Sequence, residues 1–126
     1  MTKTNALNWF EIYVSDFDRA HRFYETILKT KLTKIDCSTS GCPMALFPFD
    51  EKHGVGGAIT KMDGVTPGAG GTLVYLNVEA DLDNVVKRVW EAGGTVVKPR
   101  FAIGEHGFIA LFKDTEGNFI GLHSMS

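Results

Sequence analysis

The chain has 126 residues, of which 44% are hydrophobic, 22% charged and 11% aromatic. That length suits one domain that buries roughly two-thirds of its unfolded surface without disulfide staples. Thirteen Lys and Arg against fifteen Asp and Glu leave a formal charge of -2, which excludes the basic footprint of a nucleic-acid binder or of a protein held to an anionic membrane. No run approaches the roughly 18 apolar residues of a membrane span, and the opening Met-Thr-Lys-Thr-Asn leads into no apolar signal region. A cytoplasmic protein with a small-molecule ligand is the expectation.

Residues 8–15, NWFEIYVS, alternate with period two, Phe10, Ile12 and Val14 on one face and Trp9, Glu11 and Tyr13 on the other. This pattern predicts a strand. Asp16 then offers a side-chain oxygen to the free amides of a helix start, and Phe17, Ala20, Phe23, Tyr24, Ile27 and Leu28 recur at helical spacing. Short strand candidates follow at 32–37, 43–49 and 54–61. Cys37 and Cys42, the only cysteines, are too few for a disulfide framework and read as two free thiols in a reduced compartment, although the intervening Ser-Thr-Ser-Gly turn could face them.

The stretch 63–71, DGVTPGAGG, is dense in turn-forming residues and is taken as the crossover between two halves of one domain. Beyond it the order of events repeats. Residues 72–79, TLVYLNVE, set Val74, Leu76 and Val78 against Leu73, Tyr75 and Asn77. Asp81 is expected to cap a second amphipathic helix carrying Leu82, Val85, Val86 and Val89, which Gly93-Gly94 ends. Strand candidates at 95–103, 107–113 and 118–123 complete a βαβββ order read twice, module 1 over about 8–61 and module 2 over about 72–123.

Val14-Ser15-Asp16, then Phe23-Tyr24 in the helix and Asp114-Thr115-Glu116-Gly117 before the last strand, occur in an order that resembles the glyoxalase, bleomycin-resistance and extradiol-dioxygenase superfamily, the vicinal oxygen chelate proteins. With Glu11 in mid-strand, the chain is most similar to the small predicted enzymes related to lactoylglutathione lyase. The resemblance implies an α+β fold in which two βαβββ modules form a cupped mixed sheet, with the helices outside and the site within. It also implies a homodimer. The family often has proline where Thr115 stands, but the turn depends on Gly117 and is expected to survive.

In metal-dependent members the resemblance places ligands at positions that fall here on Trp9, on Gly57 or Ala58, on Leu73 and on Gly121. None of these side chains binds a divalent metal, so no metal and no other cofactor is expected. Glu11, Tyr75 and His123 each lie two residues beyond an empty ligand position and therefore share its strand face. They form the candidate catalytic set, Glu11 or His123 moving a proton while Tyr75 orients a ligand oxygen. The structural alternative makes Glu11 a buried acid satisfied by Tyr75 or His123.

Candidate ligand-binding residues are Trp9, Tyr13, Leu73, Asn77, Phe108, Phe119 and the loop residue His106, which the resemblance places at the pocket mouth. His21 and His53 read as solvated surface. The aromatic set Phe47, Phe49, Trp90, Phe101, Phe108 and Phe112 reads mainly as core, with one or two rings left to line the cup. Two functions stay open: a metal-free pocket that binds a small oxygenated or aromatic molecule, and a lyase or isomerase that works by proton transfer through Glu11, Tyr75 and His123.

Overall fold

The structure, a computed structural model, describes residues 5–36 and 41–126. Asp16 caps the first helix as its position predicts, its carboxylate accepting the Arg19 N–H at 3.0 Å. That helix, α1 (Phe17–Leu28), buries Ala20, Phe23, Tyr24 and Ile27. It is preceded by β1 (Trp9–Tyr13) and followed by β2 (Thr33–Ile35), β3 (Met44–Leu46) and β4 (Gly56–Thr60). The second module repeats the order with β5 (Val74–Asn77), α2 (Leu82–Glu91), β6 (Thr95–Ala102), β7 (Phe108–Lys113) and β8 (Phe119–Ser124), plus a single 3₁₀ turn at Gly104–His106. Several strands are shorter than the alternation suggested, and single backbone bonds carry the pairing past their ends: the Val14, Phe47 and Val78 amides donate to the Thr60, Gly57 and His123 carbonyls.

The eight strands form two four-stranded mixed sheets, ordered β1-β4-β3-β2 and β5-β8-β7-β6. Each first strand pairs in parallel with its module's last, Glu11 opposite Ala58 and Tyr75 opposite Gly121, and the remaining pairs are antiparallel. Both β1 and β5 are therefore edge strands, and both modules present the same architecture. Glu11 and Tyr75 occupy equivalent positions in it. The second module carries one extra residue between strand and helix, and Glu79 takes it up in the left-handed region at φ 53°.

One apolar core unites the modules, drawing Ile12, Val14 and Ile59 from the first sheet, Leu76, Phe112 and Leu122 from the second, and the buried faces of both helices. The side of β1 that carries Trp9, Glu11 and Tyr13 faces away from it, as the alternation implied. A buried polar joint adds direction to this packing. The Glu116 carboxylate, from the β7–β8 turn, accepts hydrogen bonds from the Ser15 and Asp16 amides, from the Ser15 hydroxyl and from the Arg19 guanidinium, all between 2.7 and 3.1 Å. Asp114 of the same turn accepts the Tyr24 hydroxyl at 2.6 Å, and Asn118 donates to the Tyr13 carbonyl at 2.7 Å.

Three expectations need correction. Asp81 makes no side-chain cap on α2; Arg88, one helical face along, and Asn84 capture its carboxylate at 2.7 and 2.8 Å. His21 is not on the solvated surface: its side chain is 16% exposed, its ring stacks on Phe17, and Nε2 lies 3.4 Å from Glu25 Oε2. Trp90 is no core residue and stands 69% exposed on α2. The Cys37 thiol lies outside the described residues, and Cys42 Sγ sits 3.4 Å from the Thr60 hydroxyl.

Candidate functional site

The edge strands β1 and β5 border a cleft of about 1240 Å³. Rings supply much of its wall: Trp9 and Phe10 from β1, Phe47 and Phe49 from the segment after β3, and Tyr75 from β5. Leu28, Val55, Leu73 and Val85 add aliphatic surface. Such a mixture, apolar walls with a few placed polar groups, is what small-molecule pockets are made of. Trp9 meets Phe49 edge to face, with ring centroids 6.2 Å apart.

Glu11 is the polar centre of the β1 wall. Because strand residues two apart share a face, Trp9 and Tyr13 flank it, and both donate to it: Trp9 Nε1–H to Oε2 at 3.3 Å and the Tyr13 hydroxyl to Oε1 at 3.0 Å. The pair holds the carboxylate in place. Donating to Glu11, together with burial and the Glu11 charge, raises the Tyr13 pKa above the ordinary phenol value, since a phenolate would lose that bond and face an anion.

Tyr75 stands at the equivalent place on β5, 44% exposed, with its ring lying directly over Gly121 on β8. A Cβ at Gly121 would run into that ring. His123, also on β8, opens onto a smaller hollow of about 410 Å³ that it lines with Asn77, Glu79, Ala80, Met125 and Ser126. Its Nε2 lies 2.6 Å from the His106 carbonyl, which can only accept, so the ring proton sits on Nε2. Glu11 and Tyr75 thus share the main cleft, whereas His123 faces a neighbouring hollow that has Asn77 and Glu79 in common with it. The acid's hydrogen bonds come from Trp9 and Tyr13, not from Tyr75 or His123.

Among the candidate ligand-binding residues, Trp9, Leu73 and Asn77 line the main cleft, and Tyr13 supports it through Glu11. The others lie elsewhere. Phe108 packs against the core with the Arg100 guanidinium 3.9 Å above its ring. Phe119 and the exposed His106 side chain line neither hollow. The cleft also takes two rings that strand alternation assigned to the core: Phe47 is buried in the core as expected and borders the cleft as well, whereas Phe49, half-buried beyond the end of β3, meets Trp9. The Phe-Pro-Phe spacing, with proline unable to continue a ladder, was the available signal.

The positions where metal-dependent relatives would carry ligands do not fit a metal here. Trp9, Gly57, Ala58, Leu73 and Gly121 offer no donor, and Phe10 and Tyr75 fill the space that a side chain at Gly57 or Gly121 would need. Among the described residues no group of three His, Cys, Asp or Glu side chains is placed to hold an ion. Among the described residues no helix is long and apolar enough to cross a membrane.

Solved structures share this architecture. A glyoxalase/bleomycin resistance protein from Albidiferax ferrireducens superposes with a TM-score of 0.76 at 16% identity, covering 95% of this chain and 98% of that one. A glyoxalase-related enzyme from Fulvimarina pelagi gives 0.70 at 17% identity, over 94% and 86%. The fosfomycin resistance protein FosX of Listeria monocytogenes gives 0.65 at 16% identity, over 98% and 94%. At these identities the likeness is one of fold. No curated protein matches in sequence. The sequence profile of one family, however, matches residues 6–122, nearly the whole chain, and with the paired βαβββ modules it establishes that the protein belongs to the glyoxalase/bleomycin resistance protein/dioxygenase superfamily.

Proposed function

We propose that the protein binds a small aromatic or oxygenated molecule in the cleft between β1 and β5, without a metal ion. The observation that carries this reading is the wall itself: rings from three segments beside the Glu11 carboxylate, which two neutral donors hold. A second reading, a lyase or isomerase that works by proton transfer, draws support from Glu11 and Tyr75 bordering the same cleft. In it Glu11 exchanges a proton with the ligand and Tyr75 steadies a ligand oxygen. His123 then serves from the adjoining hollow.

We also read the chain as a homodimer. Both edge strands carry exposed apolar side chains at or beside them, Leu7 at 52%, Trp9 at 39% and Tyr75 at 44%, and edges of this kind invite a partner.

A thermal-shift screen of aldehydes, thiol adducts, hydroxy acids and aromatic drugs tests the pocket. A ligand at a hundred times its dissociation constant adds about 2.7 kcal/mol of stability. The expected result is at least one hit whose shift falls in Phe49→Ala and Tyr75→Ala; hits indifferent to both substitutions, or none, overturn the reading. Glu11→Gln then separates the two functions. Loss of turnover by about a hundredfold with binding retained marks proton transfer, and a hit never transformed marks a binder.

A further inference from the structure

We propose that the cleft selects organic cations, a flat apolar body bearing an ammonium or similar charge, with the Glu11 carboxylate as counter-ion. This rests on the cleft being the ligand site and adds the sign of the ligand's charge. Charged residues reach the cleft from four segments: Glu11 on β1, Asp50 in the loop before β4, Glu79 after β5 and Asp81 at the start of α2. All are acidic. No lysine, arginine or histidine is among the described residues that line it.

The four acids differ in what already answers them; Glu79, like Glu11, has no ion pair among the described residues. Asp81 has Arg88 at 2.7 Å. Asp50 accepts the Lys52 and His53 amides and lies 3.5 Å from the His53 ring. Glu11 accepts only from the Trp9 indole and the Tyr13 phenol, and among the described residues no cationic side chain lies at ion-pair distance from it. Its charge is oriented by dipoles and, among the described residues, has no countercharge at ion-pair distance. Beside apolar walls the attraction of an ammonium for such a carboxylate is screened less than in open water. The partly exposed Trp9 ring next to it adds the attraction of an aromatic face for a cation. An anion of the same shape meets like charge from Glu11, Asp50 and Glu79.

Three probes that share a naphthalene body and a one-carbon substituent isolate the charge: 1-naphthylmethylammonium, 1-naphthalenemethanol and 1-naphthoate. Calorimetric titration of the full chain at pH 7 should rank the ammonium at least tenfold tighter than the alcohol, with the carboxylate weaker than either. In Glu11→Gln the ammonium should fall to within about threefold of the alcohol, whose own affinity stays unchanged, because the amide keeps the shape and loses the charge. Where Glu11→Gln fails to give the native circular dichroism, the ranking on the unsubstituted chain decides. Alcohol binding without preference for the ammonium, or a tenfold preference that survives in folded Glu11→Gln, overturns the cation proposal and leaves the pocket reading standing. Failure of all three probes to bind overturns both.

Discussion

Tyr75 and Gly121 are a matched pair: the ring occupies the volume that any side chain at 121 would take. Gly121→Ala should therefore destabilise the fold by about 1–3 kcal/mol, the usual range for overpacking. The same change in a Tyr75→Ala background should be nearly neutral, since the obstructing ring is gone. A double-mutant cycle from denaturant melts measures the coupling, and additive effects would contradict the contact. At this scale the sequence was informative about side and less so about partners. Alternation put Glu11, Trp9 and Tyr13 on one face, yet nothing in the spacing told that the two neighbours on its own strand, rather than Tyr75 and His123, would satisfy the acid. Partners across strands depend on how sheets twist and how far modules separate, which period-two patterning does not carry.

Among the elements, the turn from Asp114 to Asn118 bears most of the polar joining. Glu116 has a pKa lowered to about 2: burial acts to raise it, and the hydrogen bonds from Arg19, the Asp16 amide, Thr115 and Ser15 outweigh that. A depressed carboxylate pKa adds stability that is fully present above its ordinary value of 4.5 and is lost as pH falls toward 2. Asp114 acts in the opposite sense, because burial raises its pKa and protonation relieves that burden, so the acid limb is shallower than Glu116 alone dictates. Glu116→Gln should cost about 2–3 kcal/mol at pH 7, with the partly exposed Arg19 moderating the loss. Its melting temperature should converge on that of the unsubstituted protein near pH 2, and a constant gap between pH 7 and pH 2 would contradict the assignment. The turn itself was legible, since Gly117 at φ 84° takes the conformation that the motif needs. The role of Thr115 was not: its hydroxyl donates to Glu116 at 2.9 Å, a bond that proline could not make.

For the molecule as a whole, the repeated order strand-helix-strand-strand-strand was readable because both helices and both sheets keep regular apolar spacing, and the element order follows it throughout. The sheet arrangement was less so, because β1 and β5 are edges that border a cleft, and edges leave no mark in alternation. The proposed dimer makes a direct prediction. Light scattering at low micromolar concentration should give twice the 13.8 kDa chain mass, and a clean species of 13.8 kDa would exclude the pairing.

The Glu116 joint also ties the start of the chain to its end. The amides of Ser15 and Asp16, at the entry to α1, find their acceptor 101 and 100 residues later. During synthesis the first module therefore emerges with these two amides lacking their acceptor and its core open on the side that α2 and the second sheet will cover. It is completed only when the last hairpin leaves the ribosome. The halves share one core cluster, and we propose that they form a single domain: residues 5–71 expressed alone should lack the cooperative melting transition of the whole chain.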